Sequence, residues 1–139
     1  MVTAFQAHEF TLSVRVYYED TDAGGVIFYA NYLKFLERAR TEWLRTLAID
    51  QSTLARTEQR LFVVRTLNMS YRKPAQLDDL LTIVTRVARL GQASIHFEQR
   101  VQRNQELLAE GQVHVCCIDT IHMRPMKLPA TVRAKLKSI

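Results

Sequence analysis

The spacing of apolar and polar positions changes period twice along the chain. Residues 10–18, FTLSVRVYY, are β-branched and aromatic with rough alternation, which predicts a first strand. From Tyr29 to about Leu47 the period lengthens. Tyr32, Phe35, Leu36, Ala39, Trp43 and Leu47 recur at three- and four-residue steps, and Glu37, Arg38, Arg40, Thr41, Glu42 and Arg45 lie largely off that stripe. One long amphipathic helix lying against something broad is expected. A short helix around Ser52–Glu58 follows, with Ser52 as its N-cap.

The period then becomes two. Residues 61–72 read as a strand broken by Lys73-Pro74, and residues 79–90 as another ended by Gly91. In QASIHFEQRVQ, Ile95, Phe97, Gln99 and Val101 share one face, and His96, Glu98 and Arg100 share the other. Residues 107–118 give a further strand with a bulge expected at Gly111, and RNQE forms a hairpin-like turn before it. PATVRAKLKSI reads as a short C-terminal helix with Pro129 near its first turn.

This order of strand, long helix and about four consecutive antiparallel strands is α+β, with one helix against one face of a curled sheet of about five strands. A single helix leaves the other face or an edge uncovered, so homo-oligomerisation is a structural expectation.

The length of 139 residues suits one domain spanning 1–139, and 47% apolar and 24% charged residues are ordinary for a globular protein. No apolar run approaches the roughly 20 residues that span a bilayer. MVTAFQAHEF has no basic segment followed by an apolar core, so no signal peptide and a cytoplasmic location are expected. Cys116 and Cys117 are adjacent and form no disulfide framework, which fits a reducing compartment. The net charge of +5 admits nucleic acid as a partner, but the Lys and Arg residues are scattered. A small anionic ligand explains the excess equally well, and no nucleic-acid partner is expected.

The informative stretch is YYEDTDAGGVIFYANY, residues 17–32. Asp20, Asp22 and Gly25 fit positions one, three and six of a calcium loop, but Asn31 stands where a bidentate Glu is required, so no metal is expected. As a helix cap, Asp22 would accept N–H bonds at a helix start, with Asn31 as another possible cap. Asp20 reads as a turn residue bonding its own loop. The third reading is chemistry. A carboxylate on a loop can act as nucleophile or general base toward a carbonyl, and a helix N-terminus offers unpaired N–H groups to a developing oxyanion. This suits thioesters, whose thiolate leaving group needs little help from a general acid. No Ser-His-Asp or Cys-His set of recognisable spacing competes.

At VRVYYEDTDAGGVIFYANYLKFLERARTEWLR, and again at LFVVRTLNMSYRKPAQLDDLLTI and CCIDTIHMRPMKLP, the chain resembles the hotdog-fold acyl-CoA thioesterases of the 4-hydroxybenzoyl-CoA thioesterase type. Within them it looks most like the Tol-Pal system-associated branch. The resemblance implies a long central helix wrapped by a curved antiparallel sheet, assembled as dimers or tetramers with the active site at the dimer interface. It implies an enzyme that hydrolyses acyl-CoA to carboxylate and free coenzyme A. In the family the residue at Asp22 is the catalytic carboxylate, attacking the carbonyl or activating water, and the backbone N–H at Tyr29 polarises the carbonyl. No cofactor is implied, since coenzyme A is part of the substrate. An acyl carrier protein is the other partner to consider. Tyr29 stands where the Tol-Pal-associated relatives commonly have His, and Phe28, Tyr29, Ala30, Asn31 and Tyr32 echo the 4-hydroxybenzoyl branch.

Rival readings are a non-catalytic acyl-CoA or acyl-carrier-protein binding subunit, favoured by acyl-CoA binding without turnover, and a hotdog dehydratase, disfavoured because no His lies in the loop–helix region. Glu37 and Arg40 read as an ion pair in the helix or at an interface. His114 and Cys116 read as buried strand residues rather than a zinc site with His122. His96 reads as a surface or interface residue, Trp43 as core, and Met69, Met123 and Met126 as core or groove fillers. Arg72, Lys73, Arg86, Arg89 and Arg124 are candidates for coenzyme A phosphates.

Overall fold

A computed structural model describes residues 9–139. Residues 1–8 lie outside the described residues, and with them most of the segment read for a signal peptide and the start of the 1–139 domain.

The strand expected at 10–18 is β1, Glu9–Arg15. It ends early because the chain turns. The Asp20 carboxylate accepts the Tyr17 N–H at 2.9 Å and the Thr21 N–H closes on the Tyr18 carbonyl at 3.0 Å, which makes Tyr18–Asp20 a 3₁₀ turn. The long helix is α1, Asn31–Thr46. Tyr32, Phe35, Leu36, Ala39, Trp43 and Leu44 are its buried apolar residues, so Leu44 completes the stripe and Leu47 is left just past the end. Burying each of the larger ones contributes about 1.5–3 kcal/mol.

Helix α2, Gln51–Glu58, starts one residue earlier than expected, with Asp50 rather than Ser52 as N-cap. The Asp50 carboxylate accepts the Ser52 N–H and both the Ser52 and Thr53 hydroxyls, which hold its pKa below the ordinary value. Four strands follow: β2, Arg60–Tyr71; β3, Leu80–Leu90; β4, Ser94–Arg103; β5, Glu106–Asp119. Helix α3, Ala130–Lys137, closes the chain, with Pro129 at its N-cap.

All pairings are antiparallel in the order β1-β3-β4-β5-β2, and α1 packs against one face. β4 and β5 meet through a two-residue turn whose Asn104 and Gln105 both have positive φ. Register shifts fall between Val64 and Thr66, Val87 and Arg89, and Val101 and Gln102. Such bulges bend a sheet around a helix. The bulge expected at Gly111 is absent: Gly111 keeps register with both Met69 and Gln99. Its reason is space, since a Cβ there would stand 2.1 Å from the Met69 sulfur and 2.9 Å from the Asn68 carbonyl.

Ile95, Phe97, Gln99 and Val101 are buried beneath α1, as their alternation predicts. The opposite face carries cross-strand pairs. His96 and His114 face each other across β4 and β5 with rings stacked 3.9 Å apart, and the Arg89 guanidinium reaches His96 Nε2 at 3.2 Å. Glu98, also on this face, is engaged by Arg86 at 2.7 Å. Desolvation, then His114, then Arg89 push the His96 pKa below its ordinary 6.5. A histidine with a lowered folded pKa binds protons more readily in the unfolded chain, so stability is lost as pH falls below about 6.5. Urea unfolding between pH 7.5 and 5 should show this decline, and His96→Gln should flatten it. An unchanged slope in the variant would assign the decline to other groups.

Candidate active site

The chain between β1 and α1 doubles back as a tight turn. Thr21 and Ile27 form an isolated bridge, the Asp22 N–H donates to the Val26 carbonyl at 2.9 Å, and the Gly25 N–H donates to the Asp22 carbonyl at 3.2 Å. Gly25 sits at φ 81°, where other residues are strained. Gly24 lets the Asp22 carboxylate fold over it. Asp22 Oδ1 accepts the Gly24 N–H at 2.8 Å, and a Cβ on Gly24 would meet that oxygen at 3.3 Å. Asp22 itself is exposed.

The two aspartates therefore have different jobs. Asp20 is only 5% exposed; its carboxylate closes the 3₁₀ turn, and its carbonyl accepts the Phe28 N–H at 3.0 Å and the Asn31 amide at 2.8 Å. This agrees with its reading as a turn residue. The capping reading fails for both candidates. α1 has Ala30 at its N-cap with no side-chain cap, Asp22 is spent on Gly24, and Asn31 lies inside the first turn with its amide on Asp20.

At the start of α1 the Asn31 N–H takes the Phe28 carbonyl, the Tyr32 N–H that of Tyr29, and the Leu33 N–H that of Ala30. Among the described residues no acceptor takes the N–H of Tyr29 or Ala30. These are the orphan donors at the positive end of a helix dipole. The Asp20 carbonyl joins the two halves of the site, since Phe28, the neighbour of Tyr29, hangs on it and Asp22 lies two residues beyond it.

The Tyr29 side chain is 61% exposed and meets the rings of Phe28 at 5.0 Å and Tyr71 at 5.8 Å. Tyr32 meets Tyr71 at 5.6 Å. Tyr71, at the end of β2, is thus a wall of the site that sequence spacing alone missed. The signal available was its place just before the Lys73-Pro74 break.

The remaining candidates separate. Glu37 accepts from the Thr41 hydroxyl, and Arg40 turns inward to Gln99 Oε1 at 2.9 Å, so the two form no ion pair with each other within the helix. Burial lowers the Arg40 pKa, and Glu37 opposes that shift through space. Trp43 is core and Met69 is partly buried against it, but Met123 is 61% exposed and Met126 is exposed, a correction to their reading as fillers. Both lie on the loop that leaves the sheet after β5, where backbone bonds to Asp119 and Cys117 leave their side chains outside.

Cys116 and Cys117 are buried and His114 is partly buried, while His122 pairs with Asp119 at 3.2 Å. Among the described residues no three His, Cys, Asp or Glu side chains are grouped to hold a metal. Of the basic candidates, Arg72 pairs with Glu110 at 2.6 Å, Lys73 with Glu106 at 2.5 Å, Arg86 with Glu98 and Arg89 with His96. Arg124 meets no carboxylate among the described residues.

The long helix α1 packed on one face of a five-stranded antiparallel sheet is the architecture of the hotdog fold. The model of the thioesterase superfamily matches residues 24–110, and the chain belongs to that family. It is 51% identical over 125 residues to the acyl-CoA thioesterase YbgC of Haemophilus influenzae, covering 90% of this chain and 92% of that one. It is 46% identical over 129 residues to the acyl-CoA thioester hydrolase YbgC of Escherichia coli O6:H1, covering 92% and 96%. The crystal structure of a probable thioesterase from Bartonella henselae superposes with a TM-score of 0.83 at 37% identity, over 87% of this chain and 99% of that one. The chain is an enzyme of the thioester hydrolase class.

The contrast between the aspartates is measurable without an assay of turnover. Asp20→Ala leaves the Tyr17 N–H without its acceptor and should cost about 1–3 kcal/mol in urea unfolding. Asp22→Asn, at an exposed position that keeps its acceptor oxygen, should stay within about 0.5 kcal/mol of wild type. Equal losses would place Asp22 among the structural residues.

Proposed function

We propose that this protein hydrolyses acyl-CoA thioesters to a carboxylate and free coenzyme A. The observation that carries the reading is the pairing, across one short loop, of an exposed Asp22 carboxylate with the unpaired N–H of Tyr29. The substrate class is supported by the Haemophilus and Escherichia relatives, both named for acyl-CoA thioester hydrolysis.

The thioester carbonyl oxygen is taken to lie against the first amides of α1, where the helix end favours negative charge. Asp22 then adds to the carbonyl carbon, or removes a proton from the water that does. By the first route an acyl–aspartyl anhydride forms, the carbon–sulfur bond breaks, and water cleaves the anhydride. By the second, water adds directly and the same bond breaks. Both leave coenzyme A as a thiolate. Nothing in this scheme uses the Tyr29 phenol, so Tyr in place of His is compatible with it.

The working unit is taken to be at least a dimer. β2 is an edge strand, and Leu61, Val63, Val64, Leu67 and Tyr71 on it are exposed in the single chain. A long exposed apolar edge is a template for pairing with another chain. A second copy pairing along β2 would bring a partner surface to Tyr71 and hence to the site. The acyl group is assigned to the space between α1 and β2, where a cavity of about 180 Å³ is lined by Arg40, Thr41, Leu44, Phe62, Val64 and Phe97. Arg124, unneutralised by any described carboxylate, is our choice among the basic candidates for a coenzyme A phosphate. The two buried free cysteines suit a reducing compartment, and we take the reaction to be cytoplasmic.

Thiol release from short, long and aromatic acyl-CoAs, with an acyl carrier protein thioester beside them, tests the reading. Wild type should turn over at least one acyl-CoA, and Asp22→Asn should lose at least a hundredfold in kcat, the scale of a missing catalytic base or nucleophile. Wild-type rates in Asp22→Asn would remove Asp22 from the mechanism. Turnover of the carrier-protein thioester alone would change the substrate.

Tyr29→Phe, which keeps the N–H and the ring, should retain kcat within about threefold. A larger loss would show that the phenol takes part.

A further inference from the structure

We propose that Tyr32 is a positioning residue: its phenol, bonded to Ala75, sets where the Asp22 turn stands relative to the first amides of α1. The inference rests on the assignment of Asp22 and the Tyr29 N–H as the reacting pair.

The loop has two arms, and each is held by one residue of the Asn31–Tyr32 pair. Asn31 reaches back to the Asp20 carbonyl at 2.8 Å and fixes the outgoing arm. The returning arm is tied to the segment after β2. The Ile27 N–H donates to the Ala75 carbonyl at 2.8 Å, Val26 bridges Gln76, and the Leu77 N–H donates to the Gly25 carbonyl at 3.3 Å. Ala75 is fully buried, and its own N–H donates to Tyr32 Oη at 3.1 Å. A single residue therefore receives the loop on its carbonyl and grips the helix with its N–H.

The segment is itself anchored to the sheet. The Gln76 N–H donates to Asp79 Oδ2, and that oxygen accepts from Arg103, each at 2.8 Å. With Ala75 held to the sheet, Tyr32 is the direct hydrogen-bonded tie from it to the first turn of α1. The Tyr32 hydroxyl also lies 3.5 Å from the Lys73 carbonyl, to which it donates. Burial raises its pKa, which keeps the proton needed for that second contact. A phenylalanine would fill the same space beside Tyr71 and leave the Ala75 N–H without an acceptor. The hydroxyl thus adds something that packing does not require. A displacement of about 1 Å between reacting groups costs on the order of a hundredfold in rate, so a tie of this kind acts on kcat.

The test compares Tyr32→Phe with wild type on an acyl-CoA, with Thr85→Val as a control that removes a different buried hydrogen bond, the one from Gln99 at 2.8 Å. The expected result is a kcat at least tenfold lower with KM within twofold in Tyr32→Phe. Thr85→Val, with a comparable loss of urea midpoint, should keep kcat within twofold. Para-fluorophenylalanine in place of Tyr32 fills the hydroxyl's space but offers neither its proton nor a good acceptor, so it should reproduce the kcat loss. It carries the test if Tyr32→Phe does not fold.

Wild-type kcat in Tyr32→Phe, or an equal loss in Thr85→Val, would overturn the proposal. Asp22→Asn is run in parallel. Retained turnover there would overturn the assignment of the site and this proposal with it. Loss of turnover there beside a wild-type rate in Tyr32→Phe would overturn this proposal alone.

Discussion

A buried helix that begins without a cap is the constraint around which the site is arranged. α1 fills the core with aromatic and aliphatic side chains, so its position is fixed by packing. A capping side chain at its start would add about 1 kcal/mol. The N-cap position is Ala30, and the two polar residues read as caps are engaged elsewhere, Asp22 on Gly24 and Asn31 on Asp20. The first amides stay open, and an exposed carboxylate stands in the same loop. Stability foregone at a helix end becomes a place where negative charge is welcome.

Such an opening is useful only if the helix cannot slide. Packing of apolar residues tolerates small shifts; directional bonds tolerate them less. Gln99, 1% exposed, is the buried polar residue that meets this need. Its amide donates to the Leu36 carbonyl on α1 at 3.0 Å and to the Thr85 hydroxyl on β3, while its carbonyl accepts from Arg40. The bonds to Leu36 and Arg40 are the ones that hold α1; Thr85 already pairs with Gln99 in the sheet and adds no tie to the helix. The price of such a network is that any partner removed leaves the others unpaired in a dry core, at about 1–3 kcal/mol each. Among the described residues no fully buried side-chain nitrogen or oxygen lacks a partner, so the network is complete.

Much of this is legible in the residues themselves. The period-3.6 stripe locates α1, the period-2 runs locate β2 to β5, and the DTDAGG stretch points to the loop. The misreadings cluster where local pattern and tertiary contact part company. FTLSVRVYY alternates like a strand to Tyr18, yet Asp20 bends its end into a turn. Ser52 looks like a cap, yet Asp50 stands two residues earlier with two oxygens to offer. Gly111 looks like a bulge, yet it is small because Met69 lies against it. Gln99 falls on an apolar face, and periodicity places it in the core without saying what satisfies it. The roles of Tyr32 and Tyr71 depend on contacts about forty residues apart in sequence, which no spacing rule carries.

The edge strand brings these levels together. β2 is open on one side and carries exposed apolar residues, an edge prone to pair with another chain in water. It ends at Tyr71, the ring that touches both Tyr29 and Tyr32. Whatever covers the edge therefore also borders the open amides. Excluding water from that corner strengthens the attraction between a developing oxyanion and the helix end, because the local dielectric falls. The same apolar residues would then, in the proposed dimer, make the site dry. In the proposed dimer, association and catalysis draw on one surface, and a change on β2 far from Asp22 acts on both.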